Sequence, residues 1–443
     1  MGQPDARTMS RYSIHIMRAK ETTGQSQGKN AKISYVLKLR LRTRRGDGAG
    51  RRLKVANLCK LRISGGGHDR ALCPVSTYIP LTYNDYASLQ LYDPKTKKVI
   101  PCQITKARKN KGGIRLTCLV NGLKAGTSQT LIIRESKTED VKQAVLVRDI
   151  VKEGRVDVHI GRKLFTSYHY GPKWVRPFLY PIIGPYDTQV TRNWPIVEGV
   201  KGEHQDHPHH KSIWVAYGEC SKVDNWSEDK GHGWQRHRAF RSIVSGPVFG
   251  QIVARNDWCR NNDRKQFEEV RTMRFYALPG GLRLMDIEVT FRMTEGQVIF
   301  TDTKEGGLLS VRVASSMDVR NGGKIENAYG GVNEEETWGK HSPWCDYSGL
   351  VNGKHVGIAV LDHQENPRYP TQWHVRDYGL MTANCFAWQH YRPEARVKGD
   401  MTFKKGAATT WRYRVYVHRG NARTGNVAAR FVDYVAPPKV TVE

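Results

Sequence analysis

Beyond about residue 55, apolar and polar residues alternate in short runs broken by turn residues, the pattern of strands with one face in a core. Leu89-Gln90-Leu91-Tyr92 runs into the turn Asp93-Pro94-Lys95-Thr96, and Ile114-Arg115-Leu116-Thr117-Cys118-Leu119-Val120 stops at Asn121-Gly122. Thr130-Leu131-Ile132-Ile133-Arg134 is a further run. Strands spaced about 8–12 residues apart with turn signals between them predict a small β-sandwich over residues 55–150. A hairpin around Gly161-Arg162 opens a second region, 151–443. There the segments 282–291 and 411–417 alternate with period two over ten and seven residues. Such alternation predicts antiparallel sheets with one wet face. Only 425–435 has helical spacing, with Val427, Phe431 and Val435 at i, i+4 and i+8, which predicts a short C-terminal helix. Strand–helix alternation and a glycine-rich phosphate loop are both missing, which excludes the doubly wound nucleotide-binding folds. The expected fold is all-β, a small N-terminal sandwich followed by a larger antiparallel one.

Composition changes this picture little. The 443 residues carry 71 Lys and Arg against 42 Asp and Glu, a formal charge of +29. Residues 1–55 alone hold 14 basic against 3 acidic side chains. With few aromatics and no hydrophobic period, 1–54 reads as a basic disordered arm, or as an extension ahead of the natural start. Elsewhere the basic residues are interspersed with acids, the mark of a solvated surface and not of a phosphate track, so no nucleic-acid partner is expected. A basic surface leaves an acidic sugar open as a ligand. None of the eight cysteines forms a C-x-x-C pair, so free, mostly buried thiols are expected. No stretch reaches the run of about 18 apolar residues that a membrane span requires. A signal-peptide pattern is missing too, which makes the cytoplasm the default expectation.

The densest chemistry is Glu203-His204-Gln205-Asp206-His207-Pro208-His209-His210-Lys211-Ser212-Ile213-Trp214. Histidine titrates near neutrality and serves as acid, base or metal ligand with little retuning. A core has no use for so many imidazole nitrogens. Read as extended chain up to Pro208, the segment places His207 and His209 on one side and His204 and Asp206 on the other. Three readings stay open. A sugar acid/base site needs one imidazole against a ring oxygen or hydroxyl. A metal site would use His207 and His209 with a further ligand from elsewhere. A purely structural role would hydrogen-bond the rings to loops.

Other clusters have the composition of a sugar pocket. The loop from Asp224-Asn225-Trp226-Ser227-Glu228 to Gly231-His232-Gly233 combines an aromatic plate with amide, carboxylate and imidazole groups, although an exposed connection pinned by its tryptophans has the same composition. Glu305, in Thr303-Lys304-Glu305-Gly306-Gly307, is the best single carboxylate for a base. Arg312, in an otherwise apolar strand, is placed to grip an anion or to pair with Glu305. Trp344-Cys345-Asp346-Tyr347 and Trp373-His374-Val375-Arg376-Asp377-Tyr378 each serve either a pocket wall or the core. Without a G-x-S-x-G there is no nucleophile elbow.

Together with Tyr168-His169-Tyr170-Gly171-Pro172-Lys173-Trp174, Asn327-Ala328-Tyr329-Gly330-Gly331 and Trp338-Gly339-Lys340, these motifs are similar to a family of soluble, mostly bacterial proteins labelled PmoA family or methane oxygenase PmoA. The resemblance covers roughly residues 55 to 435. It implies a galactose-mutarotase-like β-sandwich and a role in carbohydrate metabolism. Aldose mutarotases place a histidine acid and a carboxylate base across the sugar ring. The resemblance therefore implies His207 or His210 as acid and Glu305 as base, acting on a sugar or sugar acid in epimerisation, elimination or glycosidic cleavage. Lys211, Asn225, Trp226, His232, Arg312 and Asp346 would bind the substrate. No cofactor is expected on this reading. The alternatives are a metal-dependent enzyme such as an oxygenase, with a divalent metal on His207 and His209, and a non-catalytic carbohydrate-binding protein.

Overall fold

The computed structural model describes residues 57–443 except 82, 84–85, 108–111, 137–141 and 261–262, with residue 87 described by its backbone alone. The proposed arm 1–54 lies outside the described residues. The fold is all-β, built from antiparallel sheets stacked around two main cores.

The small sandwich packs a five-stranded sheet on a three-stranded one. In spatial order the first is Lys439–Val442, Asn57–Ser64, Ser128–Glu135, Leu89–Asp93 and Lys98–Ile100. The second is Cys73–Ile79, Ile114–Val120 and Cys102–Lys106. Leu61, Ile63, Leu91, Leu131 and Ile133 from one sheet meet Val75, Ile79, Ile114, Leu116 and Cys118 from the other. Burying each such aliphatic side chain contributes about 1.5–3 kcal/mol.

Two expected boundaries move. Lys439–Val442 leaves the large region and pairs antiparallel with Asn57–Ser64. Val145–Ile150 instead forms an edge of the large sandwich, paired with Arg155–Ile160. The anticipated hairpin is present, Arg155–Ile160 against Lys163–His169. The single expected helix is Val427–Val435, which covers the back sheet with Val427, Phe431 and Tyr434. Two one-turn helices, Asn333–Thr337 and Trp388–Tyr391, carry no helical period that reading the chain could detect.

The large sandwich stacks two eight-stranded sheets. The front sheet runs Gln372–Arg376, Leu380–Asn384, Gly306–Arg312, Ile213–Tyr217, Phe178–Tyr180, Lys163–His169, Arg155–Ile160 and Val145–Ile150. The back sheet runs Trp234–Val244, Phe249–Arg260, Arg264–Tyr276, Arg283–Arg292, Ala408–Arg419, Lys354–Asp362, Trp344–Val351 and Lys324–Asn327. Side chains on a strand alternate between faces. Ile213, Val215, Leu309, Val311, Met381 and Trp373 therefore enter the shared core from the front, where Met273, Ile287, Val360 and Val415 meet them from the back.

The alternation also sorts the chemistry. With Leu309 and Val311 in the core, Ser310 and Arg312 fall on the outer face of the front sheet. That face is covered, unlike the one wet face expected of the strands at 282–291 and 411–417, which lie in the back sheet. Phe178, Tyr180, Trp214, Ala216, Trp226 and Leu380 form a second apolar cluster there. The irregular segments 181–212 and 218–233 supply the cover, so the strands Ile213–Tyr217 and Gly306–Arg312 are buried on both faces. All eight cysteines are free thiols, six of them buried. Among the described residues, no helix is long and apolar enough to cross a membrane.

Candidate functional site

The histidine segment is not a strand. Residues 203–210 form an irregular loop with His207 at φ +46°, leading into the strand Ile213–Tyr217. A half-buried loop must find partners for the carbonyls it turns inward. Two fully buried arginines supply them. Arg192 donates through Nη1 to the carbonyl of His204 at 3.1 Å and through Nη2 to those of His207 and His210 at 3.1 and 3.4 Å. Arg176 donates to the carbonyls of His209 at 3.4 Å and Ser227 at 3.0 Å. A guanidinium suits this task because its donors are several, fixed in a plane and permanently charged.

Asp206 lies at the centre of this network. Its Oδ1 accepts from Arg192 Nη1 at 2.5 Å and from Arg312 Nη2 at 2.6 Å, while Oδ2 lies 3.3 Å from His207 Nδ1. Burial raises the carboxyl, but nearby His207 and the two guanidiniums outweigh it and hold Asp206 well below the usual carboxylate range. His207 Nδ1 makes no hydrogen bond here, and its approach to Asp206 Oδ2 is an ion pair only when the ring is protonated. Its ring lies nearly parallel to Tyr378, at 4.9 Å and 14°, and to His210, at 4.7 Å and 3°, and those two rings are themselves 6.4 Å apart. His210 in turn stacks on Trp214 at 5.3 Å. The result is an imidazole whose ring plane is set by its neighbours.

His207 lines an open cavity of about 710 Å³ together with His209, Trp226 and Glu305. The remaining wall comes from Thr303 and from Gly218, Glu219, Lys222, Asp224, Ser227 and Asp229. The lining therefore holds four carboxylates and one ammonium. Glu305 pairs with Lys304, and its backbone N–H donates to Thr303 Oγ1 at 3.1 Å. Gly306 stands beside it at φ +94°, in the left-handed region, with the Trp226 ring so near that a Cβ would come within 2.9 Å. Only glycine satisfies both conditions. Burial, followed by the charges of Arg176 and its neighbours, depresses His209 to about 3, so that ring is neutral at neutral pH.

Several anticipated site residues sit elsewhere. His210 is buried beneath the cavity. Its Nδ1 accepts from Arg312 Nη1 at 3.1 Å, and burial, with the charges of His209 and Arg312, holds it well below its ordinary value. It stacks on His207 from below the cavity wall. Arg312 pairs with Asp206 and His210 and makes no ion pair with Glu305. Lys211 is buried against Glu228 and the Pro208 carbonyl, and burial, opposed by Glu228, brings it down to about 8. Asn225 is buried and donates to the Val223 carbonyl at 3.0 Å. His232 bonds through Nδ1 to the Gly233 carbonyl, packs on Trp234 and does not line the cavity. Trp226 is in the wall, but packing on Trp214 and His210 leaves it no open plate. Asp346 is farthest from expectation. Its neighbours Cys345 and Tyr347 enter the core, so it faces outward from the back sheet, where Oδ1 meets His418 Nε2 at 2.7 Å.

His207 and His209 share the cavity with ring centroids 5.8 Å apart. Among the described residues no group of three or more His, Cys, Asp or Glu side chains is assembled to hold a metal ion. The residues that sequence reasoning missed are Arg192, Arg176 and Tyr378. Tyr378 lay inside a cluster already singled out and Arg176 belongs to the motif that begins at Tyr168, whereas nothing local marked Arg192.

No curated protein matches the chain. A family model described as a family of unknown function (DUF6807) matches residues 155–432, from the second strand of the large sandwich into the C-terminal helix. With more than half of its length matched, the chain belongs to the DUF6807 family.

Proposed function

We propose that this is a carbohydrate-active enzyme in which His207 transfers a proton at a sugar carbon or anomeric oxygen and Glu305 is the opposing carboxylate. One observation carries the reading. An imidazole beside the Asp206 carboxylate, its plane set by neighbouring rings, shares a cavity with the carboxylate of Glu305, which comes from a distant segment just ahead of the strand Gly306–Arg312. General acid–base catalysis requires that pairing of positioned groups. The volume suits one or two sugar rings, and the polar side chains in the lining offer partners for hydroxyls. The four lining carboxylates favour a neutral sugar over a sugar acid, because Arg192 and Arg312 are already engaged by Asp206.

The test is turnover on a panel of free aldoses, uronates and aryl glycosides, followed by proton NMR. Exchange, epimerisation, elimination or cleavage should be seen on at least one neutral sugar. His207→Ala and Glu305→Gln should each lower that rate by about 100-fold or more. A rate unchanged in both variants would remove the assignment. Saturable binding without turnover would leave the protein as a carbohydrate-binding module.

A further inference from the structure

A second cavity lies at the open edge of the large sandwich, apart from the histidine loop. Its volume is about 500 Å³, and a recess of about 270 Å³ sharing His341 and Arg392 adjoins it. The edge strands of the two sheets, Lys324–Asn327 and Gln372–Arg376, both contribute to it. The motifs Asn327-Ala328-Tyr329-Gly330-Gly331 and Trp338-Gly339-Lys340, which the first site does not use, converge here.

The wall is a built surface. Asn327 Oδ1 accepts from the backbone N–H groups of Tyr329 and Gly331, each at 3.0 Å, and so shapes the turn that presents Tyr329. The Tyr329 ring stands 71% exposed at the lip of the cavity. Trp338 packs edge-on against Tyr391 with centroids 4.9 Å apart. Gly339, at φ +66°, lets the Tyr391 ring approach to where a Cβ would lie 2.9 Å from it.

Hydrogen-bonding capacity is left over. Gln372, 1% exposed, lines the recess. Its Nε2 donates to the Gly339 carbonyl at 3.1 Å, and its Oε1 has no partner. The indole N–H groups of Trp338, in the larger cavity, and Trp388, in the recess, are likewise unpartnered. Buried polar groups are ordinarily paired, so one bare acceptor and two bare donors around one space point to a ligand. Glu336 and Glu394 stand against Lys340 and Arg392, so no net charge selects an ion.

We propose that this cavity binds a neutral saccharide. A hydroxyl donates and accepts at once and can satisfy both kinds of bare group, while the apolar face of a pyranose ring suits an exposed aromatic ring. The site uses none of the residues assigned to proton transfer and stands without that assignment.

The test is titration of the full chain with maltose, cellobiose, lactose and chitobiose, read by calorimetry and tryptophan fluorescence. At least one should saturate. Tyr329→Ala, at an exposed position, and Trp338→Phe, which keeps a ring but loses the N–H, should each weaken that binding about five- to tenfold. His207→Ala should leave it unchanged, and thermal melts would verify that all three variants fold. The proposal is overturned if none of the four sugars saturates or if both aromatic variants bind as the parent does. It is equally overturned if binding disappears in His207→Ala, or if a proline-rich peptide binds at Tyr329 and the sugars do not.

Discussion

Two buried guanidiniums share one carboxylate oxygen at Asp206, and the arrangement is stable only while all three groups are present. Arg192 and Arg312 are 0% and 1% exposed, whereas the Asp206 side chain is 35% exposed. Removing the acid leaves two buried cations facing each other and loosens His207. Asp206→Asn should therefore cost about 2–4 kcal/mol, below the usual loss for a fully buried pair because the carboxylate is partly solvated. Chemical denaturation measures it. A change under about 0.5 kcal/mol would mean that the loop carbonyls alone compensate the arginines. The histidine-rich run was readable as a site because of its composition. Which of its rings faces the cavity was not readable, because that depends on a turn at His207 and on arginines 12 to 18 and 33 positions from the carbonyls they bind.

At the level of elements, patterns confined to a few residues were legible. Period-two runs over 114–120, 282–291 and 411–417 correspond to the strands Ile114–Val120, Arg283–Arg292 and Ala408–Arg419, and the one helical period to Val427–Val435. Pairings that join distant segments were not legible. Lys439–Val442 closes a sheet begun by Asn57–Ser64, and nothing in either run names its partner. The same holds for the helix, which docks on the small sandwich through charge. Asp433 accepts from Arg70 at 3.0 Å and pairs with Arg430 at 3.0 Å and His68 at 3.1 Å. Arg70 and Asp433 are both buried. Asp433→Ala should lower stability by about 3 kcal/mol, because it strands two buried guanidiniums. Hydrogen exchange should show the loss first in Cys73–Ile79, the strand beside the helix. Uniform loss across both sandwiches would instead show that they unfold as one unit.

Across the whole molecule, histidine burial sets how stability responds to acid. Burial is the leading cause that lowers His169 to about 4, His209 to about 3, His374 to about 4 and His210 well below its ordinary value. In the unfolded chain these rings take up protons near pH 6.5, while in the folded chain they stay neutral. The unfolded state therefore binds more protons, and stability falls as pH drops from about 6.5 towards 4. His418 works the other way. Burial lowers it, but Asp346 raises it further, so its contribution is present below the unfolded value and lost as pH rises through the folded one. His237 and His363 are lowered by burial as well, so six rings oppose His418 and two carboxyls, Asp362 and Asp318, which burial raises, Asp362 to about 7, and which add stability as pH falls. Asp206, held low, gives stability that disappears only as pH falls below the ordinary carboxylate range, so it does not shape the window between 6.5 and 4. Allowing for partial solvent screening, roughly 1 kcal/mol per lowered ring should be lost between pH 7 and pH 5. Urea titrations at pH 7, 6 and 5 would show the midpoint falling, and His169→Gln should remove one ring's share of that loss, roughly 1 kcal/mol. A pH dependence left unchanged by His169→Gln would mean that this ring is charged inside the folded protein. The same result for His209→Gln would mean that no neutral ring stands beside His207 in the cavity.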